Sequence, residues 1–119
     1  MTNPKIHWKN LPATALAEGV HLQQDWDRLN ADRGNLPFLA ADVMVSALNI
    51  FGEGSERLLL GKSGPKVVAL FLLVPLGQFK WHTFQPSQIP LGAWVAEAAI
   101  PLDVLTHSLI HGPLGLCLA

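Results

Sequence analysis

The spacing of apolar positions changes along this chain, and each spacing predicts a different element. From Leu22 to Arg33, Leu22, Trp26 and Leu29 fall at i, i+4 and i+7, the stripe of an amphipathic helix. Gln23, Gln24, Asp27, Arg28 and Asp32 occupy its outer face, and Gly34 closes it in the usual C-terminal position. After an Asn35-Leu36-Pro37 loop, Ala40 to Phe51 predicts a second helix with Asp42 at its positive end. Val43, Ala47, Ile50 and Phe51 are its expected apolar face, and Gly52-Glu53-Gly54 ends it.

The spacing then becomes β-like. Glu56 to Gly61 is a short strand, Lys62-Ser63-Gly64-Pro65-Lys66 a turn, and Val67 to Leu76 an almost unbroken apolar run that predicts a strand buried on both faces. Together they predict a hairpin with a five-residue connection. Lys80 to Phe84 alternates as a third strand, whereas Pro86 and Pro90 keep Gln85 to Leu91 out of regular structure. Trp94 to Ala99 fits helix and strand equally. Pro101 suits the first turn of a helix with a Leu102, Leu105, Leu109 stripe, stopped by Gly112, and Leu114 to Leu118 reads as a last buried strand. Residues 1 to 20 have little periodicity and read as an irregular N-terminal arm, with a short strand around Ile6 to Trp8.

This order predicts a single α/β (α+β) domain over residues 1–119, with helices packed on a mostly antiparallel sheet. The sequence stops inside an apolar, strand-like segment, whereas edge strands usually carry polar protection. The expectation is one half of a longer architecture.

Composition narrows the function classes. Half of the residues are apolar (50%) and 14% are charged, the balance of a globule and not of a disordered tail. A net charge of −1 with a pI near 6.5 leaves no basic field for a phosphate backbone, so no nucleic acid partner is expected. The apolar run is interrupted by Pro75 and Gly77, well short of the ~20 residues of a membrane helix. The N-terminus shows no secretory h-region, and the lone Cys117 allows no internal disulfide, so a reducing cytoplasm is expected. Cys117 itself reads as a small buried apolar residue.

Few residues suggest chemistry. Gly61-Lys62-Ser63 resembles the end of a phosphate loop, but Glu56 stands where that motif needs glycine, and a strand follows where it needs a helix. Asp103, His107 and His111 share one side of the last predicted helix, but Ser108 stands where a zinc protease motif has its base. No further ligand completes a set, so a solvent-facing stripe is expected and no metal. His7 and His21 have no partner spacing. His82, between Trp81 and Phe84, could act as a base or hydrogen-bond a ligand, or simply be the outward residue of an alternating strand.

The stretch Lys80 to Trp94 gathers two tryptophans, two glutamine amides, a hydroxyl and two prolines. Aromatic walls with a few fixed polar groups are what a small-molecule or peptide groove uses, and Trp81, His82, Gln85, Ser87 and Gln88 are its candidate substrate-binding residues. The competing reading is a loop over a sheet edge with its tryptophans packed as core. No catalytic residue is assignable.

Three patterns carry a family resemblance: a helix bearing a tryptophan, the segment PFLAADVMVSALNIFGEG, and the hairpin ERLLLGKSGPKVVALFLLVPL, whose second strand ends in Pro75-Leu76. Over about residues 22 to 77 the chain resembles the N-terminal half of CelD-like (cellulose-biosynthesis) acetyltransferases of the GNAT superfamily, related to FemAB-type transferases. The resemblance implies two GNAT-like halves, with acetyl-CoA bound mainly by the second. It also implies direct attack of an amine or hydroxyl on the thioester carbonyl, polarised by a backbone N–H at a strand bulge. The superfamily's pyrophosphate loop, of the form Arg/Gln-x-x-Gly-x-Gly/Ala, is absent. The nearest glycine pair, in His111-Gly112-Pro113-Leu114-Gly115, has a proline that removes a donor, so no cofactor-binding residue is evident. The implied partners are an acceptor molecule and a second GNAT-like half or a second copy of the chain. A reading from another class is a non-catalytic assembly module that pairs its sheet edge.

Overall fold

The computed structural model describes residues 6–77, 80–83, 94–110 and 117–118. In chain order the elements are β1 (His7–Pro12), α1 (Thr14–Glu18), α2 (Val20–Arg33), a 3-10 turn (Pro37–Leu39), α3 (Ala41–Phe51), β2 (Arg57–Ser63), β3 (Lys66–Gly77), β4 (Lys80–Thr83), β5 (Trp94–Ala96), α4 (Leu102–Ile110) and β6 (Cys117–Leu118). The sheet runs β1-β2-β3-β4-β6, and β5 pairs with β3 beyond β4. Every pairing is antiparallel except β4 with β6. The fold is α+β, a mostly antiparallel sheet with helices on it.

β3 organises the molecule. Its register meets β2 along one edge and β4 and β5 along the other. Leu58, Leu60, Leu70, Leu72 and Val95 face Leu16, Trp26, Leu29 and Met44 of α1, α2 and α3. Leu59, Ala69, Phe71, Leu73 and Ala96 face the opposite way and pack with Leu105 of α4. This is the two-residue alternation of a strand covered on both sides. A bulge at Gly61/Lys62, where Val68 is the extra residue, breaks the alternation once. Hence Val67 and Leu70, three apart, join the same cluster.

The helices follow partly from the stripes. In α2, Trp26 and Leu29 are buried, and Asn30 is buried with them. Trp26 Nε1 donates to the Leu39 carbonyl at 2.6 Å. The Asn30 amide bridges both backbone groups of Leu36, donating to its carbonyl at 2.9 Å and accepting from its N–H at 3.2 Å. Gly34 ends the helix at φ 145°, a conformation that favours glycine. In α3 the expected face is rotated. Ala41, Met44 and Ala47 point inward, while Val43, Ile50 and Phe51 are exposed. Apolar residues surround most of this helix, so periodicity alone does not choose a face, and small alanines permit close approach to the neighbouring elements. Its first N–H groups are capped by carboxylates: Asp27 Oδ1 accepts from Ala41 at 2.8 Å, and Asp42 Oδ1 from Val43 at 2.9 Å.

Two other expectations are corrected. The strand expected around Ile6 to Trp8 is present but longer, pairing with β2 from His7↔Lys62 to Pro12↔Arg57, and α1 follows at once, so much of the supposed irregular arm is ordered. β1 has a mostly exposed burial pattern, so its order comes from pairing and not from an apolar run. The hairpin connection has two residues instead of five, because Ser63 and Lys66 are already paired. Gly64 takes φ 61° and the ring of Pro65 fixes a negative φ, the sign pattern of a type II′ turn. Trp94 to Ala96, ambiguous by periodicity, is a strand. No helix among the described residues is long and apolar enough to cross a membrane.

Candidate functional site

The far end of β3 is irregular for a reason legible in its residues. Pro75 cannot donate to a ladder, and sheets tolerate proline at edges and bulges. The register passes from Pro75↔Trp81 to Gly77↔Lys80, which leaves Leu76 without an opposing residue. This bulge lies beside the strand where the pairing changes sense. β4 is antiparallel to β3 but parallel to β6, with Lys80↔Cys117 and Trp81↔Leu118 in register and α4 in the connection. Bulges take backbone groups out of the ladder and cluster near functional sites.

Of the candidate groove residues, Trp81 and His82 stand on β4 opposite Pro75 and Val74. Gln85, Ser87 and Gln88 lie outside the described residues, as does His111. The ends of that stretch are fixed: Thr83 pairs with Leu73 and Trp94 with Phe71, so the chain leaves and rejoins the same edge of β3 close to its point of departure.

Trp94, expected as a groove wall, is engaged by its neighbours. Its indole stacks on Phe71 at a centroid distance of 5.2 Å and 6° between planes. The Arg33 guanidinium lies 3.6 Å from the indole centroid, and its Nη1 donates to the Trp94 carbonyl at 3.3 Å. Partial burial pushes the Arg33 pKa below its ordinary value through desolvation. Phe71 in turn meets the edge of Trp8 at 6.0 Å, and Trp8 Nε1 donates to Ser108 Oγ of α4 at 2.7 Å. Trp94 is therefore half-buried, packed on Phe71 and held by Arg33.

Beyond this aromatic row lies an open depression of about 360 Å³, lined by Arg33, Trp94, Glu97, Ile100 and Pro101 among others. It sits at the N-terminus of α4, a position suited to anions. Its charges oppose that use. Glu97 borders it, bound to Lys66 Nζ at 2.6 Å, and Asp103 occupies the first turn of α4. Arg33, the cation at its edge, is held flat on Trp94. The acidic groups here offset the cations, so the depression has no excess positive charge to favour the pyrophosphate of an acyl-CoA. Among the described residues no group of three or more His, Cys, Asp or Glu could hold a metal ion.

Two functional candidates escaped sequence reasoning. Arg33 was only the end of a helix, and nothing local announced its partner 61 residues away. Glu56 was only the start of a strand, but its side chain is buried at 6% exposure. The spacing Gly52-Glu53-Gly54-Ser55-Glu56, a carboxylate just after a glycine-flanked turn, is the signal that could have found it. No family model, no curated protein and no solved structure matches the chain.

Proposed function

We propose that the chain is a GNAT-like half-domain of an acyl-CoA-dependent acyltransferase of the CelD-like group, and that it forms the acceptor side. The observation that carries this reading is the bulge at Leu76 beside β4, the strand that is antiparallel to β3 and parallel to β6. Bulges cluster beside functional sites, and bulged backbone supplies polar groups free of the ladder there. Trp81 and His82 of β4, with Gln85, Ser87 and Gln88 beyond it, shape the acceptor groove. The donor phosphates belong to a second half.

Isothermal titration tests the reading. Acetyl-CoA and S-acetylpantetheine, which lacks the nucleotide pyrophosphate, are expected to give similar saturable heats at millimolar concentration. No heat from either sinks the acyltransferase reading for this chain.

One feature favours an assembly module instead. Among the described residues, β1 is an outer strand with one edge unpaired along His7–Pro12. Lys9 and Pro12 on that strand oppose such pairing, because both residue types blunt an exposed edge. Sedimentation over a hundredfold concentration range separates the readings: a monomer throughout argues against self-pairing, and a concentration-dependent dimer supports it.

A further inference from the structure

A second depression, of about 200 Å³, lies between α1, the end of α3 and the start of β2. Pro12, Ala17 and Leu48 give it apolar walls, while Thr14, Asn49 and Glu56 bring polar groups to it. Glu56 is the unusual member. Its Oε1 accepts from the N–H groups of Glu53 at 3.0 Å and Gly54 at 3.1 Å, and its Oε2 accepts from Glu53 at 2.9 Å. Neutral N–H groups solvate a carboxylate and fix its direction, but they leave its charge in place. A carboxylate offers about four acceptor positions, so capacity remains. Both ion pairs of the described residues lie elsewhere, at Arg28–Asp25 and Lys66–Glu97.

A second, independent feature has the same sign. The C-terminus of α3 borders the depression through Leu48, Asn49 and Gly52. Helix C-termini carry partial negative charge and are usually offset by a basic residue in the last turn. α3 has none there. Its Leu48 carbonyl accepts from the Gly52 N–H at 2.9 Å. Gly52 lets these two negative features approach each other: an added Cβ would collide with the Leu48 carbonyl and meet Glu56 Oε1 at 3.0 Å.

We propose that this depression binds the ammonium group of a small alkylamine, with Glu56 as the counter-ion and the alkyl chain on Ala17 and Leu48. A single carboxylate without further acidic or imidazole ligands suits an organic cation better than a metal ion. The site is independent of the acyltransferase reading.

Titration of the full chain with n-butylammonium chloride, followed by two-dimensional amide NMR, tests it. Saturable shifts are expected at the Gly52, Glu53 and Gly54 amides and at the Asn49 side chain, and none with equimolar n-butanol or sodium chloride. Glu56→Gln is expected to weaken binding roughly tenfold or more, as loss of a charged partner does. Ala17→Leu, which fills the depression and leaves Glu56 in place, is expected to abolish binding. Equal shifts with butanol or sodium chloride overturn the site, as does an unchanged midpoint in Glu56→Gln. Should Glu56→Gln fail to fold, undiminished binding in Ala17→Leu overturns it, and lost binding there supports it.

Discussion

Gly61 occupies the one position on β2 that lets Trp8 lie across the sheet. It pairs with Trp8 on one side and Ala69 on the other. A Cβ added there would stand 3.0 Å from Ile6 Cγ2, 3.0 Å from Trp8 Cζ3 and 3.1 Å from Trp8 Cη2. Gly61→Ala therefore displaces the indole by a few tenths of an ångström or more. That loosens two interactions: the edge contact with Phe71 at 6.0 Å and the 2.7 Å hydrogen bond to Ser108. The first contributes about 0.5–1.5 kcal/mol and the second about 1 kcal/mol. Replacing glycine restricts the unfolded chain and returns about 0.4–1 kcal/mol. The net expectation is a loss of about 0.5–2 kcal/mol, or a fall in Tm of about 2–8 °C for a chain of this length.

Urea unfolding followed by tryptophan fluorescence, with Trp8→Leu and the double variant completing a cycle, measures it. The two substitutions should couple, because Trp8→Leu removes the ring that Gly61→Ala offends. A Gly61→Ala protein as stable as the parent, or strictly additive effects, would refute the packing assigned to this row.

Other substitutions test the core and the surface. Trp26→Phe removes a fully buried donor and leaves the Leu39 carbonyl unpaired, so unfolding should show a loss of about 2–4 kcal/mol. Lys66→Met breaks the 2.6 Å pair with Glu97, but Lys66 is 60% exposed, so the loss should stay below about 1 kcal/mol and shrink further in high salt. Ile50→Glu should change stability by no more than about 0.5 kcal/mol in the same assay, because Ile50 is 72% exposed. A large loss there would restore the helix face that the structure rejects.

The parts of the fold legible in the sequence are those in which a local pattern and the tertiary environment agree. Leu22, Trp26 and Leu29 mark α2, Gly34 marks its end, and the run from Val67 marks β3, which is buried because α1–α3 cover one face and α4 packs on the other. What was missed depends on partners distant in the chain. The extent of β1 is set by β2, β5 is held by β3, and the face of α3 by which side chains let it approach its neighbours, none of which a window of one helix contains. The site divides in the same way. The register puts Trp81 and His82 next to the bulge at Leu76, while Trp94 is claimed by Phe71 and Arg33. Glu56 gave no periodic signal, because a buried carboxylate held by its own loop does not depend on periodicity.

The central claim is that this half forms the acceptor side, its groove at β4 opening on the bulge at Leu76, which the thioester end of a donor must reach. The most direct measurement is an amide-resolved NMR titration of the full chain with S-acetylpantetheine. Saturable shifts centred on Leu76, Gly77 and Lys80 to Thr83, retained with acetyl-CoA, are the predicted result. Shifts absent from these amides at millimolar ligand, or confined to the depression beside Arg33 and Trp94, would contradict it.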